Sequence, residues 1–219
     1  MKQILCFGDS NTYGFNIDNT GLEDLRIPYH ERWTSQLQQN LGSECNIVVE
    51  GLCGRTIAFD DPTCPCRRGL DWLIPCLTTH QPLDLVLFML GTNDVKPLFN
   101  ASAQNIASSL NLLLRTYRGF YTGQGERVPE ALVIAPPPIG ENIASSILAD
   151  QFDDSSVQKS RRLPAEYEKI AFSNKARFFD AATVTQYDPI ECVHFNSNGH
   201  EKMAQALTEI IQDILQTKK

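Results

Sequence analysis

The chain has 219 residues, with 26 acidic against 19 basic side chains and a formal net charge of -7. Hydrophobic residues make up 42% and charged residues 21%, ordinary globular usage that excludes a fibrous or disordered class, and the acidic balance repels nucleic acid over most of such a surface. One compact domain, residues 1–219, accommodates this length, and no apolar stretch approaches the roughly 20 residues of a membrane-spanning helix.

The first predicted element is a buried strand over Ile4 to Phe7, too short for the apolar core of a signal peptide, so the chain is expected in the cytoplasm. Gly8-Asp9-Ser10-Asn11 follows it. Trp33, Leu37 and Leu41 recur at helical spacing, with Gly42 as the stop. Asn46 to Val49 reads as a second strand and runs into Gly51-Leu52-Cys53-Gly54-Arg55. A helix over Leu70, Leu73, Ile74 and Leu77 leads through a linker, placed at His80-Gln81-Pro82, to a third strand, Leu85 to Leu90. Gly91-Thr92-Asn93-Asp94 comes next, then a helix over Ile106, Leu110, Leu113, Leu114 and Tyr117.

The fourth strand, Leu132 to Ala135, is ended by Pro136-Pro137-Pro138. Residues 136–160 have no clean period and read either as a loop or short helix flanking a substrate mouth or as a solvated excursion. Leu163, Tyr167 and Ile170 mark another helix, Arg177 to Phe179 a fifth strand, and a loop then ends in Glu191-Cys192-Val193-His194. Asn196 or Ser197 caps the last helix, which carries Met203, Leu207, Ile210, Ile211 and Ile214. Strands alternating with helices predict an α/β fold with a parallel five-stranded sheet and helices on both faces. In such a sheet ligands sit beyond the carboxyl ends of the strands, where the polar segments after each strand converge.

Seven cysteines form an odd set without the even framework of a secreted scaffold, so reduced thiols are expected. Cys53, Cys64, Cys66 and Cys76 raise a zinc hypothesis, but Cys-x-Cys is an unusual finger spacing and no histidine lies between them. Packing residues or exposed thiols are the preferred reading, with no metal and no cofactor. A flavodoxin-type binding module would need a phosphate cradle after the first strand, where Asp9 stands instead. No Gly-x-Gly-x-x-Gly or Walker pattern occurs.

Acyl transfer needs a nucleophile, a base, a group orienting the base and donors for the oxyanion. Ser10 at the first strand-to-helix turn is the candidate nucleophile, a capping serine being the alternative. Gly54 lacks a side chain, so its N–H can approach a carbonyl closely, and the Asn93 amide can donate a second bond beside the N–H of Ser10. Of four histidines, His30, His80, His194 and His200, His194 is the candidate base because Glu191 precedes it by three residues. Asp188, six residues before His194 with Pro189 between them, is the rival orienting carboxylate. His80 and His200 read as structural or solvated.

The run Ile4-Leu5-Cys6-Phe7-Gly8-Asp9-Ser10-Asn11-Thr12 resembles the first conserved block of the SGNH (GDSL-type) hydrolases. Gly54, Gly91-Thr92-Asn93-Asp94 and His194 with a carboxylate three residues earlier resemble the second, third and fifth blocks, in family order. Arg32-Trp33, Gly51 to Thr56, Asp60-Asp61-Pro62-Thr63 and Leu83 to Val86 are similar to the bacterial arylesterase/perhydrolase branch. This resemblance implies a flavodoxin-like three-layer α/β/α fold and metal-free hydrolysis of small carboxylic esters, with acyl transfer to alcohols or hydrogen peroxide as a side activity. It also implies Ser10, His194 and Glu191 as catalytic residues, Ser10, Gly54 and Asn93 as the oxyanion hole, loop-bracing roles for Asp9 and Asp94, and a homo-oligomer. Carbohydrate O-acetylesterase, lysophospholipase and thioesterase activities would use the same residues. One departure stands out: the family usually carries Asp where this chain has Glu191.

Overall fold

The computed structural model describes residues 1–18 and 26–216; the terminal lysines, Lys218 and Lys219, lie outside the described residues. Five parallel strands, β1 (Lys2–Gly8), β2 (Cys45–Gly51), β3 (Leu85–Met89), β4 (Glu130–Ala135) and β5 (Arg177–Asp180), form one sheet in the order β2-β1-β3-β4-β5. The registers bring Gly8 opposite Gly51 on one side and Met89 on the other. Between and after the strands run α1 (Ser10–Tyr13), α2 (Trp33–Leu41), α3 (Gly69–His80), α4 (Ala103–Gly123), α5 (Asp154–Ser160), α6 (Leu163–Ser173) and α7 (Ser197–Gln216).

Right-handed crossovers decide which face each helix covers. The chain moves outward from β1 to β2, then reverses across β1 to reach β3, so α2 and α3 fall on opposite faces. Helices α4 and α6 continue the direction of α3 and pack on each other, while α7 returns to pack on α2. The result is a three-layer α/β/α sandwich. The inner strands are buried on both faces, as the unbroken runs Ile4 to Phe7 and Leu85 to Leu90 require.

The reversal between β1 and β3 opens a crevice at the carboxyl edge of the sheet. Helix α1 begins at once after β1 and doubles over the end of β2. Only glycine fits under it: a Cβ on Gly51 would stand 2.2 Å from the Tyr13 nitrogen.

Several local details differ from the sequence expectations. His80 is the last residue of α3 rather than part of a linker, and its Nε2 lies 2.8 Å from Glu50 Oε1, tying the helix end to the edge strand. Helix α4 continues past Tyr117 to Gly123 because Gly119 and Gly123 face open space and only weaken the helix. The irregular stretch contains a 3-10 turn at Ile143–Ser145 and then α5, capped reciprocally by Asp153 and Ser156. Two expected boundaries are present: Gly42 ends α2 with φ 67°, and Asn196 Oδ1 accepts the Gly199 N–H at 3.0 Å at the start of α7.

Candidate active site

Asp9 is the cap of α1: its Oδ1 accepts the Asn11 N–H at 2.9 Å, leaving Ser10 as the first residue of the helix rather than its cap. Ser10 is only 4% exposed. The loop leaving β5 is closed on itself by Asp188, whose N–H donates to the His194 carbonyl at 2.8 Å and whose carbonyl accepts the Cys192 N–H at 2.8 Å. Asp188 Oδ1 takes the N–H groups of Ile190 and Glu191, both at 2.9 Å, and Oδ2 faces Asn196 Nδ2 at 3.3 Å. Cys192, in the left-handed region at φ 75°, turns the chain sharply enough for Glu191 to fold back on its own loop.

Glu191 Oε1 lies 2.6 Å from His194 Nδ1, while Oε2 accepts the backbone N–H groups of Val193 at 2.9 Å and His194 at 2.7 Å. The other ring nitrogen, Nε2, lies 2.8 Å from Ser10 Oγ. A carboxylate accepts only, so Nδ1 carries the proton and Nε2 is left to receive one from the serine hydroxyl. Burial raises the Glu191 pKa, but the side-chain bond and charge of His194 together with the two N–H groups outweigh it and hold the carboxyl below its ordinary value. The structure thus brings Ser10, His194 and Glu191 into one hydrogen-bonded chain. Asp188 is spent on the loop backbone and does not reach the ring.

The oxyanion candidates sit on the two neighbouring loops. Gly54 has φ 78°, in a turn closed by the Arg55 N–H on the Leu52 carbonyl at 3.0 Å. Asn93 Nδ2 donates to the Arg55 carbonyl at 3.1 Å, using one of its two N–H bonds and tying its loop to the residue after Gly54. Asp94 Oδ1 accepts the Ile57 N–H at 2.9 Å, fastening the same two loops again. Burial, with a contribution from the neighbouring Asp9 charge, pushes the Asp94 carboxyl up to about 7. Arg55 is buried beneath, donating to the carbonyls of Gly8 at 2.9 Å and of Glu50, with its guanidinium 4.2 Å over the Phe7 ring.

Three residues at the site escaped the sequence reading. Asn11 spans His194 on both sides: its Nδ2 donates to the Val193 carbonyl at 3.1 Å and its Oδ1 accepts the Phe195 N–H at 3.0 Å. Its own carbonyl takes the Trp33 indole N–H at 3.0 Å. Asn11 therefore ties the α1 turn to the histidine loop, and the only signal was an amide next to Ser10. Phe15 packs its ring 4.5 Å from the His194 ring, and Arg55 acts as just described. His200 is buried, its Nδ1 accepting the Trp33 N–H at 3.3 Å, and burial with the charges of His194 and Arg32 lowers its pKa to about 4.

Of the four cysteines spaced closely in sequence, Cys76 is buried, Cys66 exposed, and Cys53 and Cys64 intermediate. Among the described residues no group of three or more His, Cys, Asp or Glu side chains is arranged to hold a metal.

The family model of the GDSL-like lipase/acylhydrolase family matches residues 6–202. No curated protein matches the sequence. Among solved structures, the native M. smegmatis aryl esterase is 35% identical, with a TM-score of 0.90 over 98% of this chain and 100% of that one. A carbohydrate acetylesterase from Sinorhizobium meliloti is 31% identical, with the same TM-score and coverage. A carbohydrate acetylesterase family member from the same organism is 35% identical, with a TM-score of 0.87 over 98% of this chain and 99% of that one. With its serine, histidine and carboxylate aligned at the carboxyl edge of the matching fold, the chain belongs to the GDSL-like lipase/acylhydrolase family and is a carboxylic ester hydrolase.

Proposed function

We propose that the protein is a serine esterase that cleaves small aryl or short-chain acyl esters through an acyl-enzyme on Ser10. The observation that carries this reading is the continuous chain from Ser10 Oγ to His194 Nε2 at 2.8 Å and from Nδ1 to Glu191 at 2.6 Å. Ser10 Oγ attacks the ester carbonyl while His194 takes its proton, and the oxyanion is held by the N–H groups of Ser10 and Gly54 and the remaining Asn93 amide N–H. Collapse expels the alcohol with the proton returned by His194. Water, activated by the same ring, then releases the acid. Glu191 keeps the productive tautomer and stabilises the imidazolium.

The aryl esterase and carbohydrate acetylesterase neighbours support small esters as the substrate class. The enclosed serine, with the Phe15 ring against the base, supports a short acyl group and a dry acyl-enzyme in which an added alcohol or peroxide competes with water. No described helix is long and apolar enough to cross a membrane. The proposal includes residues 1–219 working as one domain, a reading supported by one core that runs from Ile4 to Ile214. Seven free thiols support a cytoplasmic setting, and self-association is part of the same proposal, its candidate contacts the exposed Ile147, Phe172 and Ile190.

The test is Ser10→Ala with p-nitrophenyl acetate and a fluorophosphonate probe. Hydrolysis should fall by roughly 10³-fold or more and labelling should vanish, with the circular dichroism unchanged. Turnover near the wild-type value would remove Ser10 from the mechanism.

A further inference from the structure

The loop after β2 carries a cation that the proposed chemistry does not use. Arg67 stands over Gly54: a Cβ on that glycine would lie 3.6 Å from Arg67 Cδ and 3.7 Å from its Nε. The backbone builds this placement. The Thr56 N–H donates to the Arg67 carbonyl at 3.1 Å and the Gly69 N–H to the Thr56 carbonyl at 2.9 Å, so residues 67–69 run as a short ladder beside the glycine turn. The Leu52 N–H donates to the Gly8 carbonyl at 3.1 Å, which fastens the same turn to the end of β1, two residues before Ser10. From the other side, the Trp72 indole N–H on the Cys66 carbonyl at 2.9 Å fixes the bend just ahead of Arg67.

Arg67 is left without an acid. The nearby carboxylates go to its neighbour: Arg68 takes Asp60 at 3.5 Å and Asp71 at 3.7 Å. Among the described residues Arg67 forms no ion pair, and its one side-chain hydrogen bond is long, from Nη1 to the Pro65 carbonyl at 3.4 Å. Its Nε is buried without a partner, an exception among buried polar groups. The Nε–Nη2 edge of the guanidinium, whose two parallel N–H groups match a carboxylate, is therefore free beside the proposed oxyanion loop. With 26 acidic against 19 basic side chains in the chain, a shortage of acids does not explain it. A second cation stands close by. Arg26 Nε donates to the Tyr13 carbonyl at 2.6 Å and its guanidinium lies 4.3 Å over the Tyr13 ring, at the end of the helix that Ser10 begins. Both charges reach Cys53, the residue before Gly54: burial and the charge of Asp9 push its thiol up to about 11, against the opposing pull of Arg67 and Arg26.

We propose that Arg67, assisted by Arg26, binds a carboxylate at the far end of the acyl group, so that the preferred substrates are half-esters of short dicarboxylic acids. The assignment rests on the esterase reading above, with the acyl carbon at Ser10 and its oxygen toward Gly54. In the sheet order the loop after β2 and the loop after β5, which carries His194, flank β1 from opposite sides. The alcohol leaves toward His194, which returns its proton, so a group read from the Gly54 side belongs to the acyl portion. The chain between the two carbonyl carbons is short because Arg67 is in van der Waals range of the glycine itself.

The experiment measures kcat/KM by ethanol release from monoethyl succinate and from ethyl levulinate, which carry a carboxylate and a methyl ketone at the same place on otherwise equal acyl chains. Wild type should favour the succinate. Arg67→Gln should lower the succinate-to-levulinate ratio by about tenfold or more, the usual loss of a hydrogen bond to a charged group. Arg67→Lys keeps the charge without the planar fork and should lose less. Arg26→Gln should lower the ratio by about two- to fivefold, as a partly solvated ion pair does. An unchanged ratio in Arg67→Gln overturns the proposal, and so does an equal fall on both esters, which would make Arg67 a support of the Gly54 turn alone. Should Arg67→Gln not fold, the wild-type preference carries the test: it should shrink as NaCl is raised from about 0.01 to 1 M, which shortens the screening length from about 30 to 3 Å, and a preference that salt leaves untouched overturns the proposal. Wild type that cleaves p-nitrophenyl acetate, yet shows no preference for the succinate or leaves both ethyl esters intact, overturns it without any variant. No turnover of any of the three esters instead sinks the esterase reading itself.

Discussion

Replacing Glu191 by Gln tests the proposed orienting carboxylate, because the structure dictates how the amide must sit. The carboxylate accepts three bonds: His194 Nδ1–H on Oε1, and the Val193 and His194 N–H groups on Oε2. With its oxygen toward the ring, the glutamine would point its NH2 at two buried backbone donors, each left unsatisfied at about 1–3 kcal/mol. The opposite orientation keeps both backbone bonds and turns the NH2 toward Nδ1. It is favoured by about 1–3 kcal/mol or more, since the imidazole can adapt by moving its own proton. That proton then sits on Nε2, and the ring cannot take one from Ser10. Glu191→Gln should therefore fold normally and lose up to roughly 10⁴ in kcat, as loss of the orienting carboxylate does in a serine triad. A loss of that size corresponds to about 5.5 kcal/mol in the barrier. Asp188→Asn should retain most activity, because its Oδ1 can still accept from Ile190 and Glu191. Steady-state kcat on p-nitrophenyl acetate, read beside circular dichroism, decides. A folded Glu191→Gln within tenfold of wild type refutes the reasoning, and a severe loss confined to Asp188→Asn would move the role to Asp188.

Other expectations follow from the same geometry. Asn11→Ala, which frees both flanks of His194, should lower kcat by about 10- to 100-fold with little change in KM. In a His194→Ala background it should add nothing, and additive losses would make it a general fold defect instead. Asp94, raised to about 7 by burial, keeps its proton in the folded state over a range where the unfolded chain has lost it. Stability therefore falls as pH rises from about 4 through 7. Asp94→Asn preserves the acceptor for Ile57 and should raise the melting temperature more at pH 8 than at pH 5, by the equivalent of roughly 1–4 kcal/mol. An equal difference at both pH values would refute it. Gly51→Ala places a Cβ against the Tyr13 backbone, so α1 must shift. Loss of esterase activity at temperatures where the protein is still folded is expected, and full activity would deny that α1 needs this clearance.

The fold was largely legible because its signals are local. Buried parallel strands announce themselves as apolar runs, and α2 and α7 carry a single apolar stripe ended or begun by Gly42 and Asn196. Helix α5 was not separable from its surroundings: its start is a reciprocal Asp153–Ser156 cap, while its buried side depends on Ser156 and Ser160 meeting the loop after β3 and Ile139. At the site, Ser10, Glu191 and His194 could be named from turn chemistry and spacing. Spacing favoured Glu191 over Asp188, but how Glu191 reaches the ring was hidden, since it turns on the left-handed Cys192 and on backbone N–H groups that only the folded loop aims at a carboxylate. Asn11 and Arg55 stayed hidden for a related reason. Their partners are main-chain groups far away in sequence, and such groups leave no mark in residue identity.

The seven residues from Asp188 to His194 hold themselves together. The Asp188 N–H closes on the His194 carbonyl, the Asp188 carboxylate satisfies amides inside the loop, and the Glu191 carboxylate satisfies two more. The proposed base and its carboxylate thus form one cooperative unit rather than two parts brought together by the rest of the protein. When this segment opens, it should swing away from Ser10 with the histidine–glutamate bond intact, and reclosing restores the alignment of His194 with Ser10 without a search for the right rotamers. In amide hydrogen exchange the groups at Asp188, Glu191, Cys192, Val193 and His194 would then share one opening free energy, set by the ties that Asn11, Gly140 and Ser146 make to the loop from outside. The enzyme's resting competence is in that sense a local folding equilibrium, distinct from the stability of the sheet on which the loop stands.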